Sequence, residues 1–374
     1  MLAILALALQ EPVLAPDSEA RWVPFELTAS NQIRFTMQAG GREAKAVLDT
    51  GISITVVSRG FANGLKLKHL TSGRAAAIGG AIAIDLAEAP RISFGGLSRS
   101  GGRIAIADMP ALAGLAADIY VGADLLGCCA LDVDYAARRF RILPSGRMPF
   151  TGYTAPLART RAGVFVTEFS IGGRRLRPIL VDTGDGSSLT LTAQSWAAIR
   201  PRDIRVTTTL GYGAGGALVS EAAILPGVLL GGKDSGETEV RIEAAGGFSQ
   251  AAGTAGRIGT GLLMRYRVLL DPRAGHMVLL RDPAAATAVT RSTSGMLVTY
   301  SNGALEINHV MRGSPAEQAG FKAGELVCSA DSRPVREDAE DDGRIEWLIG
   351  APGRTVRLTE CDGRERTITL GTFY

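Results

Sequence analysis

The stretch Lys45-Ala46-Val47-Leu48-Asp49-Thr50-Gly51 recurs as Pro178-Ile179-Leu180-Val181-Asp182-Thr183-Gly184, with the two aspartates 133 positions apart. Four further landmarks follow in the same order. Gly79-Gly80 matches Gly215-Gly216, and Ile92-Ser93-Phe94-Gly95-Gly96 matches Val228-Leu229-Leu230-Gly231-Gly232, both at an offset of 136. Val121-Gly122-Ala123-Asp124-Leu125-Leu126 matches Ile258-Gly259-Thr260-Gly261-Leu262-Leu263, and residues 134–143 match 271–280, at 137. The period exceeds any solenoid unit, so the chain contains a duplicated domain, with lobe one at residues 18–143, lobe two at 152–281 and a linker around Pro144-Ser145-Gly146. Ala46-Val47-Leu48 and Ile179-Leu180-Val181 are short apolar runs suited to buried strands. Gly40-Gly41 and Gly172-Gly173 stand before them at hairpin positions, and residues 195–200 suit one helical turn. Two similar lobes in one chain enclose a cleft, and a pseudo-twofold relation brings their equivalent residues together across it.

Composition sharpens this into a mainly β fold class. Among 374 residues there are 47 glycines and only 6% aromatics, while 46% are hydrophobic and 21% charged. Glycine among short apolar runs points to turns and strands rather than helical bundles. The net charge of +3 and the absence of a dense basic block exclude a nucleic-acid partner. The densest group, Arg174, Arg175 and Arg177, reads as a solvated hairpin. Neither the cysteines nor His69, His276 and His309 show metal-ligand spacing, so no metal or other cofactor is implied. Cys128 and Cys129 are adjacent and are expected to lie buried as small apolar residues. Cys328 and Cys361 fall in one unit, compatible with a disulfide. Residues 1–9 form an apolar run too short to span a bilayer. It is similar to the core of a signal peptide, with Ala6-Leu7-Ala8 as a cleavage site, although no Lys or Arg precedes it. The expectation is an exported protein, periplasmic or secreted, with residues 1–17 as its leader.

One Asp-Thr-Gly alone reads as a turn after a strand; two copies at the same place in a repeat carry more. Behind each comes a later segment ending in glycine, Tyr120-Val121-Gly122 and Arg257-Ile258-Gly259, the second with only one apolar residue before its glycine, followed by Gly122-Ala123-Asp124-Leu125-Leu126 and Gly259-Thr260-Gly261-Leu262-Leu263. Over residues 30–281 this resembles the retropepsin and pepsin superfamily of aspartic peptidases, with both lobes in one chain. The resemblance implies that Asp49 and Asp182 face each other as a catalytic dyad that shares a proton. One carboxylate would activate a water, and the other would hydrogen-bond the scissile carbonyl. It implies support of the dyad by Thr50 and Thr183, donating across the lobe interface, and by Gly51 and Gly184, whose amides reach the carboxylates. Ser53 and Ser187 are further candidate donors. It also implies flaps over the cleft at Gly79 and Gly80 and at residues 211–216, which include Tyr212, Gly215 and Gly216.

Two departures stand out. Ile52 follows the first motif where the family places Ala or Ser. Asp185 follows the second, and either raises the dyad's pKa by like-charge repulsion or points away to solvent.

Residues 282–293 read as a linker to a third unit, 294–374. Asn302-Gly303 between strand-like runs signals a hairpin. Ser314 and Pro315 suit the start of a short helix and Gly320 its end. Gly324-Glu325-Leu326-Val327 starts a strand. Residues 337–349 are a candidate helix, and residues 356–358 and 367–370 are strands around the turn Asp362-Gly363. The run Gly313-Ser314-Pro315-Ala316 with Ala319-Gly320 and Gly324-Glu325 resembles the bacterial PDZ domain, a small α+β fold, with Glu325 where the family usually has Asp. The resemblance implies a groove for the C-terminus of a peptide ligand. Backbone at Gly295, Met296, Leu297 and Val298 would hold the carboxylate, and Ile345 and Leu348 either line the pocket or fill the core.

The expected function is an aspartic-type endopeptidase acting on protein or peptide substrates, which its PDZ unit recruits or positions. Its site needs only one chain, so a monomer suffices. A non-catalytic peptide-binding scaffold is the alternative, and an enzyme that processes only itself or one partner is a third reading.

Overall fold

The strand Ile33–Ala39 and its counterpart Phe165–Ile171 alternate between buried and open residues, the period-two pattern of a sheet covered on one face. Each turns back through a glycine pair with positive φ at both residues, +59° and +78° at Gly40-Gly41 and +54° and +77° at Gly172-Gly173. That geometry matches the twist of a tight hairpin. The returning strands, Arg42–Leu48 and Arg174–Asp182, begin exposed and end in wholly buried runs leading into the two Asp-Thr-Gly motifs. The computed structural model describes residues 11–109, 117–335 and 345–374.

The two lobes agree strand for strand. In lobe one the sheet runs His69–Ala77, Gly80–Glu88, Arg103–Ala107, Val56–Ser58, Ile119–Val121, Arg42–Leu48, Ile33–Ala39, Ile92–Phe94, Leu97–Arg99. In lobe two the same order is Thr207–Gly213, Gly216–Leu225, Thr238–Glu243, Leu189–Thr192, Gly256–Gly259, Arg174–Asp182, Phe165–Ile171, Leu229–Leu230, Lys233–Asp234. The strand before each aspartate pairs in parallel with the later glycine-ended strand, Val121 beside Leu48 and Ile258 beside Val181. That inserted strand also pairs antiparallel with the one leaving the motif loop. Each aspartate loop is therefore tied down from both sides by main-chain hydrogen bonds.

A six-stranded sheet joins the lobes, with Ala130–Asp134 of lobe one antiparallel to Tyr266–Asp271 of lobe two. Asp132 is wholly buried in it and binds Arg141 of its own lobe at 2.9 Å and Arg267 of the other at 2.8 and 2.9 Å. One apolar core runs through both lobes. Pro144-Ser145-Gly146 is no loose tether: Ser145 Oγ and the Gly146 amide each donate to Asp271 at 2.7 Å. The helical turn expected at residues 195–200 is the helix Ala193–Ile199, capped by Thr192.

The C-terminal unit is a separate sheet, ordered Met296–Ser301, Ala304–Val310, Leu326–Ala330, Thr355–Glu360, Glu365–Thr369, over its own core around Ile307, Val327, Trp347 and Leu358. Ser314 caps the helix Pro315–Gln318 through the Glu317 amide, and Gly320 follows at φ +78°. Of the helix expected at 337–349, a 3-10 turn at Glu346–Ile349 is described; residues 336–344 lie outside the described residues, as do residues 1–10 of the expected leader. The expected linker packs on lobe two instead of hanging free, with Arg291 paired to Glu237 at 2.8 Å.

The cysteines require a correction. Cys128 and Cys129 bridge each other, with Cα atoms 3.7 Å apart. Adjacent side chains diverge on a strand or helix, but these two sit in the turn between the helix Ala123–Leu126 and the strand Ala130–Asp134. Cys328 and Cys361 also form a disulfide, 33 positions apart.

Candidate active site

The two Asp-Thr-Gly loops meet at the lobe interface. A Cβ added to Gly51 would lie 2.4 Å from the Asp182 carboxyl, and one added to Gly184 would lie 2.3 Å from that of Asp49. Each carboxyl thus lies against the glycine of the opposite motif, in space that only a missing side chain leaves. The Gly51 amide donates to Asp49 Oδ1 at 3.0 Å, and the amides of Gly184 and Asp185 both donate to Asp182 Oδ1 at 3.1 Å.

The threonines lock the interface reciprocally. Thr50 Oγ1 donates to the Val181 carbonyl at 2.6 Å and accepts from the Thr183 amide at 3.1 Å. Thr183 Oγ1 donates to the Leu48 carbonyl at 2.8 Å and accepts from the Thr50 amide at 3.0 Å. Both side chains are buried, so none of these groups has water as an alternative partner. Ser53 and Ser187 do not join them: Ser53 is exposed, and the Ser187 hydroxyl pairs with Thr190 while its amide donates to Asp185.

Burial, the larger effect, lifts the Asp49 carboxyl to about 6 despite the amide of Gly51 and a hydrogen bond from Asp182. Burial first, and then the facing Asp49 charge, hold Asp182 well above the ordinary carboxyl range. Tyr120, on the strand behind Asp49, is raised to about 12 by burial and by that carboxylate.

Asp185 does not point to solvent. Its side chain is buried and paired with Arg257, whose Nη1 also binds Glu243 and Ser249. Burial opposes the charge on Asp185, yet the guanidinium and the Ser187 amide hold its carboxyl below the usual value. Arg257 showed itself in the sequence only as the charged residue where an apolar one belongs before Ile258-Gly259. Glu243 gave no signal. Neither did Asn31 and Gln32, which reach across from lobe one and donate to the carbonyls of Gly186 and Gly184 at 3.1 and 2.8 Å.

The hairpins His69–Ala77/Gly80–Glu88 and Thr207–Gly213/Gly216–Leu225 touch tip to tip. The Gly215 amide donates to the Ile78 carbonyl at 2.9 Å. A Cβ on Gly79 would stand 2.6 Å from the Gly216 oxygen, and one on Gly215 2.4 Å from the Gly80 nitrogen, so these tips approach closely only as glycine. Tyr212 is 53% exposed on its strand.

In the C-terminal unit Met296–Ser301 is the edge strand, and the Gly295-Met296-Leu297-Val298 segment begins it. The amides of Gly295 and Met296 donate to Ser292 Oγ and Ser294 Oγ at 2.9 and 3.2 Å. Leu297 packs with Phe373, Tyr374, Met311 and Ile224 of lobe two, while Val298, Ile345 and Leu348 lie half-buried against the unit's own core. Among the described residues, no group of three or more His, Cys, Asp or Glu side chains is placed to hold a metal ion.

A family model described as aspartyl protease matches residues 35–125, the part of lobe one that holds Asp49, and one described as PDZ domain matches residues 306–359. Among curated proteins none matches the chain significantly. The chain is thus similar to aspartyl proteases over most of lobe one, which lobe two repeats strand for strand, and to PDZ domains in its C-terminal unit.

Proposed function

We propose that the protein is an aspartic endopeptidase whose dyad is Asp49 and Asp182. The observation that carries this reading is the reciprocal seating of each carboxyl against the other motif's glycine, fixed by the crossed threonine bonds. A scaffold that only bound peptides would have no chemical use for two buried carboxyls at one point. Facing carboxylates resist double ionisation and share a proton. The ionised member takes a proton from a water between them as its oxygen attacks the peptide carbonyl carbon. The other gives its proton to the carbonyl oxygen. Collapse of the resulting gem-diol breaks the C–N bond, with a proton returned to the leaving amine. The touching hairpins act as flaps that part to admit an extended substrate and then exclude water above the dyad.

The C-terminal unit recruits or positions substrates by adding a peptide strand to the edge of Met296–Ser301 that no described strand pairs, with the peptide carboxylate displacing the Ser292 and Ser294 hydroxyls from the Gly295 and Met296 amides. Two disulfides are at home in an oxidising compartment, which supports export to the periplasm or outside.

Cleavage of casein from about pH 3 to 8 tests the dyad. Wild type is expected to cut, and Asp49→Asn and Asp182→Asn each to lose at least about 1,000-fold in kcat/KM. Unchanged cleavage in both variants would sink the reading. Silence in all three chains, with retained peptide binding, would favour a scaffold.

A further inference from the structure

The two aspartate loops share one scaffold but differ at three matched positions behind the carboxyl. Where lobe one has Ile52, Tyr120 and Ala107, lobe two has Asp185, Arg257 and Glu243. In lobe one Ile52 and Tyr120 pack with Val47, Val56, Met109 and Ala117 as an apolar cluster. In lobe two the same place holds three ionisable side chains closed on each other, with Arg257 only 5% exposed and Asp185 and Glu243 at 8% and 1%.

Lobe one is an internal control: the fold forms with apolar residues here. Buried ion networks of this kind are seldom worth more to stability than apolar residues of similar size, so folding does not explain the charges. Their connection to the dyad does. The Asp185 amide is one of the two donors on Asp182 Oδ1. Asp185 is itself fixed at three further points: Arg257 and the Ser187 amide on its side chain, and the Thr260 amide on its carbonyl at 2.7 Å. Arg257 is in turn held by Glu243 and by Ser249 Oγ at 3.0 Å.

We propose that Arg257 is a positioning residue of the dyad: through Asp185 it fixes the amide that holds Asp182, and with Asp185 and Glu243 it makes the two aspartates unequal, so that Asp182 carries the shared proton and Asp49 acts as the base. This rests on the dyad reading above. The charged and titratable groups that face the pair are Tyr120 from lobe one, and Asp185, Arg257, Glu243 and Arg241 from lobe two. Arg241 is offset by its own partner Glu239 at 3.7 Å, so with all of them ionised Asp185, Arg257 and Glu243 leave one negative charge, and they lie behind Asp182. That charge opposes ionisation of Asp182 more than that of Asp49. Asp49 stands instead beside an apolar cluster and a phenol. Burial raises both carboxyls, to about 6 at Asp49 and well above the ordinary range at Asp182.

The test is carboxyl carbon-13 NMR titration of aspartate-labelled protein, assigned with Asp49→Asn and Asp182→Asn, run beside the pH profile of kcat/KM. In wild type Asp49 should ionise first and Asp182 last. Asp185→Asn should lower the later ionisation by about one pH unit and move the alkaline limb of the profile down with it. Arg257→Gln should move both upward. Because Arg257→Gln leaves two buried carboxylates unpaired and endangers folding, a second variant carries lobe one's own residues, Asp185→Ile/Arg257→Tyr/Glu243→Ala. It should make the two carboxyls share the proton equally, so that their carbon-13 shifts move together through both steps. Asp182 ionising first in wild type would overturn the proposal, as would unmoved titrations in the variants. Titrations that shift as described in a chain that cuts no peptide would reject the peptidase reading and leave this inference standing. Cleavage with an unmoved limb would do the reverse.

Discussion

Thr50 and Thr183 each use a single hydroxyl twice, as donor to the other lobe's strand and acceptor from the other lobe's loop. The dyad they align has a cost that depends on pH. Both aspartates titrate above their unfolded value of 3.8, chiefly because burial disfavours the charge. A carboxyl with a raised folded pKa contributes stability that is fully present below the unfolded pKa and is lost as pH rises through the folded one. For Asp49 that window runs from near 4 to about 6, and Asp182, also raised, loses its contribution in the same direction. Urea unfolding of wild type and Asp182→Asn between pH 4 and 7 should therefore show the variant gaining on wild type as pH rises. A difference that stays flat across this range would contradict the burial of the pair.

At the scale of elements, the hairpin tips and the disulfides show what short stretches of chain contribute. The tips owe their contact to glycines that leave no Cβ in the gap. The Cys328–Cys361 bridge ties the end of strand Thr355–Glu360 to Leu326–Ala330 across a loop of 33 positions. Closing a loop of that size in the unfolded chain is worth about 3–4 kcal/mol in the chain-entropy view. Cys328→Ala/Cys361→Ala should therefore unfold the C-terminal unit at markedly lower denaturant, with Trp347 fluorescence as the probe, and leave the transition of the two lobes in place. Equal midpoints with and without the bridge would show that it adds no constraint.

At the scale of the molecule, the C-terminal unit is docked on lobe two at the root of the second hairpin. Thr207 Oγ1 donates to the Arg312 carbonyl at 2.7 Å, the Arg312 amide donates to Thr208 Oγ1 at 3.1 Å, and the Arg312 guanidinium pairs with Glu221 at 2.7 Å. Beneath these bonds Ile224, Met311 and Tyr374 form a small buried apolar cluster. A charge there has no partner, so Met311→Asp should cost on the order of 3 kcal/mol of docking. The expected outcome is a larger radius of gyration in small-angle scattering and faster tryptic cleavage at Arg291, which wild type holds against Glu237 and the Tyr374 carbonyl. An unchanged scattering profile would mean that the polar contacts alone hold the unit.

The duplicated motif made the lobes, their order and both aspartates legible, because a repeat states twice which residues the same local fold must keep. The glycine tips and the helix cap at Ser314 were equally readable, since turns and caps depend on a few neighbouring residues. Contacts between segments far apart in sequence were decided only by the tertiary structure. The interlobe sheet joins residues more than 130 positions apart, and Asn31 and Gln32 support a loop some 150 positions away. The bridge between Cys128 and Cys129 depended on a turn whose direction the composition did not specify. Asp185 looked like a stray carboxylate until the fold set Arg257 beside it, and Arg257 looked like a flaw in an apolar run until the fold set Asp185 and Glu243 around it. The sequence determined which local structures form, because periodicity and turn chemistry are short-range. Which charges meet was left to the tertiary structure, because a buried ion pair is defined by packing and not by spacing.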